Sequence, residues 1–251
     1  MHFEAMAEAY AGARPPYPPQ VFEILREERV IGPGLRVLEV GAGSGLATRE
    51  LCASGSEVLA LEPGPGLVAV LRAAVPGVEV RQSTLEDARL APASLDAAVA
   101  ATAMHWVDLR VGLPVLHAAL RPGGRLAVWR HVFGDPAVRT PFRDRVGDIV
   151  RARGPGADAP ARGHEPPTMD QLAGGGWFVP IRTLRWSWSI ELTTAQVSEL
   201  FATFSDWAPG EVATAAAAVD DLGGTVLEHY QTVLHLLVRA DAGEDQVHRS
   251  V

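Results

Sequence analysis

The 251-residue chain contains no lysine and no asparagine, and it has a single cysteine. All 22 basic residues are therefore arginine, set against 30 acidic residues for a formal net charge of −8. A chain this acidic lacks the broad basic face needed to neutralise a phosphate backbone, which argues against a nucleic-acid substrate. With no lysine there is no P-loop; there is also no G-x-S-x-G elbow. No H-E-x-x-H or C-x-x-C set occurs, and His229 and His235 stand six apart, so no metal is expected. Cys52 alone excludes an intrachain disulfide, suits a reducing cytoplasm and reads as a small core residue. No apolar run reaches the roughly 18 residues of a membrane span. The opening MHFEAMAEAY carries two glutamates and no basic stretch, unlike a signal peptide. A cytoplasmic location without a membrane partner is expected. The missing lysine and asparagine fit a GC-rich, bacterial coding sequence, so an arginine is not in itself evidence that its forked geometry was needed.

What is present is an apolar strand running into glycines. In RVLEVGAGSGLATREL (residues 36–51) Val37, Leu38 and Val40 favour a strand, and Ala47 onward reads as helix. Gly41, Gly43 and Gly45 between them allow a sharp turn and close approach to a ligand. Strand, glycine loop and helix N-terminus form a cofactor cradle in parallel α/β proteins. A dinucleotide fingerprint needs a small third residue at position 46, where this chain has Leu46. With Glu39 two places before the loop, a cationic sulfonium amino acid suits the arrangement better than a pyrophosphate.

EVGAGSG (Glu39 to Gly45) resembles the first motif of class I S-adenosylmethionine-dependent methyltransferases. Further similar stretches follow in order: ALEPG (60–64), QSTLEDARL (82–90), SLDAAVAATAMHWVD (94–108) and LRPGGRLAVW (120–129). Upstream, AEAYAGARPPYPPQVFEIL (7–25) resembles the leader of the trans-aconitate methyltransferase-like branch. The resemblance implies a Rossmann-like, seven-stranded, mostly parallel sheet with helices on both faces and a C-terminal antiparallel strand. It also implies S-adenosyl-L-methionine as cofactor and a small-molecule acceptor. Gly41, Ala42 and Gly43 would pass under the amino-acid portion, with Glu39 orienting the loop and facing the ammonium. Glu62 would accept from both ribose hydroxyls, as a carboxylate's two oxygens allow, and Pro63 would pack on the adenine. Thr84, Leu85 and Glu86 would line the adenine. Many relatives carry an aspartate where Thr84 stands, so that contact passes to Glu86, Asp87 or backbone. Ala101 closes the fourth strand beside the cofactor, and Tyr10, Arg14 and Tyr17 of the leader are candidates to close over it, Arg14 or Tyr10 reaching its carboxylate.

The remainder of the reading comes from pattern. Strands are expected at 35–40, 57–62, 77–82, 94–101 and 124–132, alternating with helices at 45–54, 64–75 and 108–120, behind a first helix at 21–29. Every motif falls at the C-terminal end of a strand, where ligands bind in such sheets. Residues 133–180 are expected as a cap, 181–239 as completion of the sheet with a last strand at about 231–239, and 240–251 as a tail, all in one domain as a monomer or homodimer. His105 is the candidate catalytic base or acceptor-orienting donor, since a histidine titrates near neutrality; the alternative is a histidine packed under the cap. Trp106 reads as packing, Trp186 and Trp188 share one strand face, and His131 is a further candidate pocket residue. The expected reaction is O-methylation of a carboxylate or hydroxyl. The rivals are a cofactor-binding protein of the same fold that catalyses another reaction or regulates a partner, a nicotinamide-dependent oxidoreductase, which Leu46 opposes, and methylation of a protein or RNA.

Overall fold

A computed structural model describes residues 12–154, 165–204 and 206–241. Seven strands form one mixed sheet: β1 (Arg36–Val40), β2 (Glu57–Leu61), β3 (Glu79–Arg81), β4 (Leu95–Ala101), β5 (Leu120–Phe133), β6 (Phe178–Thr193) and β7 (Thr225–Arg239). Their spatial order is β3-β2-β1-β4-β5-β7-β6. The first five run parallel, and β7 pairs antiparallel with both β5 and β6. The crossovers include α2 (Leu46–Ala53), α3 (Pro65–Ala74) and α4 (Leu109–Ala119), while α1 (Pro19–Glu27) precedes the sheet.

Both sheet faces are covered, which is why the central strands read as near-continuous apolar runs. On one face Leu38, Val40, Leu59 and Leu61 pack with Leu113 and Leu116 of α4. On the other, Val37, Val58 and Trp129 pack with Val21, Phe22 and Leu25 of α1 and Leu51 of α2. The period of two along β1 therefore sends Glu39 to the α2 face, with Val37.

The later elements depart from the expected boundaries. The β5 strand begins at Leu120, because Leu95 pairs with Leu120 before the R-P-G-G turn bulges and pairing resumes at Ala97–Arg125. The β7 strand begins at Thr225 rather than near 231, and β6 spans Phe178–Thr193. Both are longer because they pair along most of their length, from Thr193–Thr225 to Phe178–Arg239. Of residues 133–180, α5 (Pro141–Ala152) joins α7 (Thr194–Ala202) and α8 (Pro209–Asp221) in a helical lobe built on Phe142, Val197, Phe201 and Val219. By contrast α6 (Met169–Ala173) buries Leu172 against the α4 face of the sheet. The lobe thus draws two of its three helices from the β6–β7 connection. Cys52 is half-buried, less enclosed than a core residue. Among the described residues no helix is long and apolar enough to cross a membrane.

Candidate functional site

A cavity of about 480 Å³ opens at the carboxyl ends of the parallel strands. It follows the strand order. At the β2–β3 side stand Glu62, Pro63, Thr84, Leu85 and Glu86; the glycine loop after β1 lies in the middle; Ala101, Thr102, His131 and Phe133 form the β4–β5 side. Arg14, Pro15 and Tyr17 of the leader close that side. Of the expected cofactor residues, Glu39, Gly41, Ala42, Gly43, Glu62, Pro63, Thr84, Leu85, Glu86, Ala101 and Arg14 all line this one space. Tyr10 lies outside the described residues.

The loop is shaped by glycine where nothing else serves. Gly41, Gly43 and Gly45 all have positive φ, at 67°, 57° and 91°. A Cβ on Gly41 would stand 2.5 Å from the Ala103 Cβ, and one on Gly45 2.6 Å from Leu71 Cδ1. A Cβ on Gly43 would meet nothing within 4 Å, so the space beside this residue is open. Glu62, 5% exposed, ties the loop down: its Oε2 accepts from the Gly43 N–H at 2.8 Å and its Oε1 from the Gly64 N–H at 2.9 Å.

Glu39 is 1% exposed. The Thr48 hydroxyl, from the first turn of α2, donates to its Oε2 at 2.7 Å, while Oε1 has no partner. Burial pushes this carboxyl up to about 8; the Thr48 bond works against that, and the nearby charge of Glu62 adds to it. Glu39 and Glu62 thus bring two carboxyl groups beside the glycine loop, and one oxygen of Glu39 has no partner. No group of three or more His, Cys, Asp and Glu side chains among the described residues could hold a metal ion.

The adenine-side loop is knit together internally. Thr84 donates to Asp87 Oδ2 at 3.1 Å and accepts from the Asp87 N–H at 3.2 Å, and Glu86 Oε1 accepts from the Asp108 N–H at 2.8 Å. Asp87 is not part of the cavity wall.

His105 does not line the main cavity. It sits in a 3₁₀ turn, Met104–Trp106, whose three residues per turn send successive side chains to three directions. Met104 enters the core and Trp106 reaches the cavity. His105 instead lies against a separate small cleft with Arg130, Pro167 and His235. The histidine of the main cavity is His131, 8% exposed, on β5. Its Nδ1 bonds to Thr232 Oγ1 at 2.9 Å, and its Nε2 is buried without a hydrogen-bond partner. Burial, opposed by Pro16 and reinforced by the positive charge of Arg14, lowers His131 to about 4. It is neutral near pH 7.

Several lining residues carried no sequence signal. Thr102 adopts φ 57°, unfavourable for a β-branched residue, and is held by its N–H to the Trp129 carbonyl (2.7 Å) and its hydroxyl to Tyr17 (2.9 Å). Phe133 shares the face of His131 by strand alternation and lies beneath the Arg14 guanidinium, 5.1 Å from ring centre to Cζ. That pairing was available once His131 was placed on a strand. Trp188 lies behind the wall, 5.0 Å from the His131 ring, and Trp186 packs on the α1 face.

The sheet order, the antiparallel C-terminal strands and the cavity over the strand ends define a class: this is the Rossmann-like methyltransferase fold. Within it, residues 38–128 match the family model described as a methyltransferase domain. An uncharacterized methyltransferase of Mycobacterium tuberculosis is 36% identical over 158 residues, covering 58% of this chain and 63% of the relative. The chain thus spans somewhat under two thirds of that protein's length. A candidate type II methyltransferase from Anaeromyxobacter dehalogenans superposes with a TM-score of 0.66 at 23% identity, covering 90% of this chain and 97% of that one. Geranyl diphosphate C-methyltransferase from Streptomyces coelicolor, solved with Mg2+, geranyl-S-thiolodiphosphate and S-adenosyl-L-homocysteine, gives a TM-score of 0.51 at 16% identity, covering 88% and 76%. At these identities the solved structures speak to the fold.

Proposed function

We propose that this chain is an S-adenosyl-L-methionine-dependent methyltransferase acting on a small organic molecule, by O-methylation of a carboxylate or hydroxyl. The observation that carries the reading is the buried, half-satisfied Glu39 beside the Gly41–Gly43 loop, in one cavity with Glu62. The methyltransferase-domain match over residues 38–128 supports it, and the leader's resemblance to the trans-aconitate-like branch supports an oxygen acceptor. When bound, the cofactor supplies an electrophilic methyl already activated by a sulfonium. The chain then has to place an acceptor lone pair about 3 Å from that carbon, in line, so proximity and orientation dominate catalysis. Glu39 faces the amino-acid end, Glu62 accepts from the ribose hydroxyls, and Pro63, Thr84, Leu85 and Glu86 enclose the base. The acceptor enters on the β4–β5 side, between Trp106 and the leader residues Pro15 and Tyr17. A space of about 480 Å³ suits a cofactor with a modest acceptor, not a polymer.

The test is calorimetry with S-adenosyl-L-homocysteine. Micromolar binding is expected in the wild type, weakened at least about 100-fold in Glu62→Ala by loss of charge-assisted bonds to ribose and loop. No binding, or tighter binding of a nicotinamide dinucleotide, sinks the assignment.

A further inference from the structure

Strand β6 is the last of the sheet and pairs on one side only, with β7. Such an edge presents a row of backbone N–H and C=O groups that a second strand can take up, unless proline, a bulge or a covering element blunts it. In β6 those devices sit at one end. Pro180 and the register shift between Pro180 and Arg182 interrupt the ladder there, and Arg182 is tied to Glu28, just after α1, at 2.6 Å. From Thr183 to Thr193 the pairing with β7 runs unbroken, and the segment holds no proline or glycine.

The eleven residues of that segment, TLRWSWSIELT, read almost alike in both directions about Trp188. Folded back there, Thr183 meets Thr193, Leu184 meets Leu192, Trp186 meets Ile190 and Ser187 meets Ser189. The remaining pair, Arg185 with Glu191, is opposite in charge. Alternation sends the even-numbered residues to the α1 face. Leu184 and Trp186 pack there, the Trp188 indole donates to Thr232 Oγ1 at 2.9 Å, and Ile190 and Leu192 pack with the helical lobe. Of these only Leu192 is buried; the other four stay partly open to solvent. Arg185, Ser187, Ser189 and Glu191 occupy the opposite face and are exposed. Among the described residues neither Arg185 nor Glu191 has an ion-pair partner, and the charge that acts on Arg185 from within its own chain is the like charge of Arg130.

We propose that β6 is a homodimer interface, in which Thr183–Thr193 pairs antiparallel with the same segment of a second copy about a two-fold axis at Trp188. A two-fold requires that a residue some steps before the axis meet the residue as many steps after it, and this segment has that symmetry. A strand from an unrelated protein would not call for it. The register keeps apolar residues on the α1 face of both protomers and polar residues on the other. A slip of one residue turns the partner's apolar side chains to the wrong face, and a slip of two parts Arg185 from Glu191. The centred pairing makes two Arg185–Glu191 contacts and about ten backbone hydrogen bonds. It also covers the exposed flanks of Leu184, Trp186, Trp188 and Ile190.

Sedimentation velocity on the full chain without cofactor tests this. The wild type should sediment as a dimer at micromolar concentration. Arg185→Glu and Glu191→Arg each set like charges opposite one another twice and should weaken the dimer at least about tenfold. Both substitutions in one chain restore opposite charges and should bring the dimer Kd back to within about threefold of wild type. Both side chains are exposed, so thermal melts should show all three variants folded. A monomeric wild type overturns the proposal, as does a dimer indifferent to the single reversals or a double variant as weak as either. The register has its own readout. In a Cys52→Ser background, Ser187→Cys chains mixed with Ser189→Cys chains should oxidise to a disulfide-linked pair, whereas either alone leaves its cysteines two residues out of register and too far apart. Equal cross-linking of the separate and mixed chains overturns the axis at Trp188.

Discussion

Thr48 donates to one oxygen of the buried Glu39 carboxylate at 2.7 Å and leaves the other without a partner. The contact joins the end of β1 to the first turn of α2, so the strand and helix flanking the glycine loop share one carboxylate.

The Glu39 carboxyl stands at about 8 in the folded protein against an ordinary 4.5. Between those values the folded state keeps a proton that the unfolded chain has released, so stability falls as pH rises from about 4.5 to about 8 and is level above. Glu39→Gln should flatten that slope in urea denaturation of the cofactor-free protein. Binding a cation beside Glu39 reverses its preference, so at pH 7 S-adenosyl-L-homocysteine should release up to about one proton per site. Calorimetry in two buffers of different ionisation enthalpy measures it; equal heats in both would contradict the role assigned to Glu39.

Gly43→Ala and Gly41→Ala separate ligand space from loop packing. Both place a Cβ at positive φ, costing about 1–2 kcal/mol. Only at Gly41 does that Cβ also meet Ala103, at 2.5 Å. Thermal melts should show the larger loss in Gly41→Ala. Gly43→Ala should stay folded while its Kd for S-adenosyl-L-homocysteine rises at least about tenfold, since on the proposed reading the cofactor fills the open space beside it.

Arg143 on α5 pairs with Glu228 on β7, and Glu228 is 1% exposed. Burial raises the Glu228 carboxyl, with Arg143 pulling it back. Removing the guanidinium strands a buried charge, so Arg143→Ala should cost on the order of 3 kcal/mol in urea unfolding. Adding Glu228→Gln should recover at least half. Additive losses in the double variant would show that the pair is not coupled.

His105→Ala tests the placement of the two histidines. With His105 outside the main cavity, the Kd for S-adenosyl-L-homocysteine should stay within about twofold of wild type, as additivity for separate sites implies. A loss beyond tenfold would return His105 to the site.

The glycine-loop half of the cavity was legible because its determinants are local. Strand, glycines and helix start occupy 36–53, and a turn that only glycine can make announces itself in the letters. Glu62 was readable as the end of the next strand, and the placement of these residues on one cavity followed from strand alternation. The β4–β5 half was not. His105 read as a strand-end residue, but a 3₁₀ turn rotates it out of the cavity, and a 120° change of direction leaves no trace in composition. Strand β7 escaped full definition because it is paired on both edges and mostly buried, so its apolar pattern does not distinguish strand from helix.

By itself the sequence determined the class of fold, the glycine loop of the cavity and the acidic residues beside it, since these depend on neighbours within a few residues. Only the tertiary structure decided which histidine meets the cavity and which side chain its ring bonds to. Thr232 is 101 residues from His131 and 44 from Trp188, and an antiparallel pairing alone brings the three together. Hydrogen-bond donors have fixed capacities, but which capacity is spent depends on who is adjacent in space.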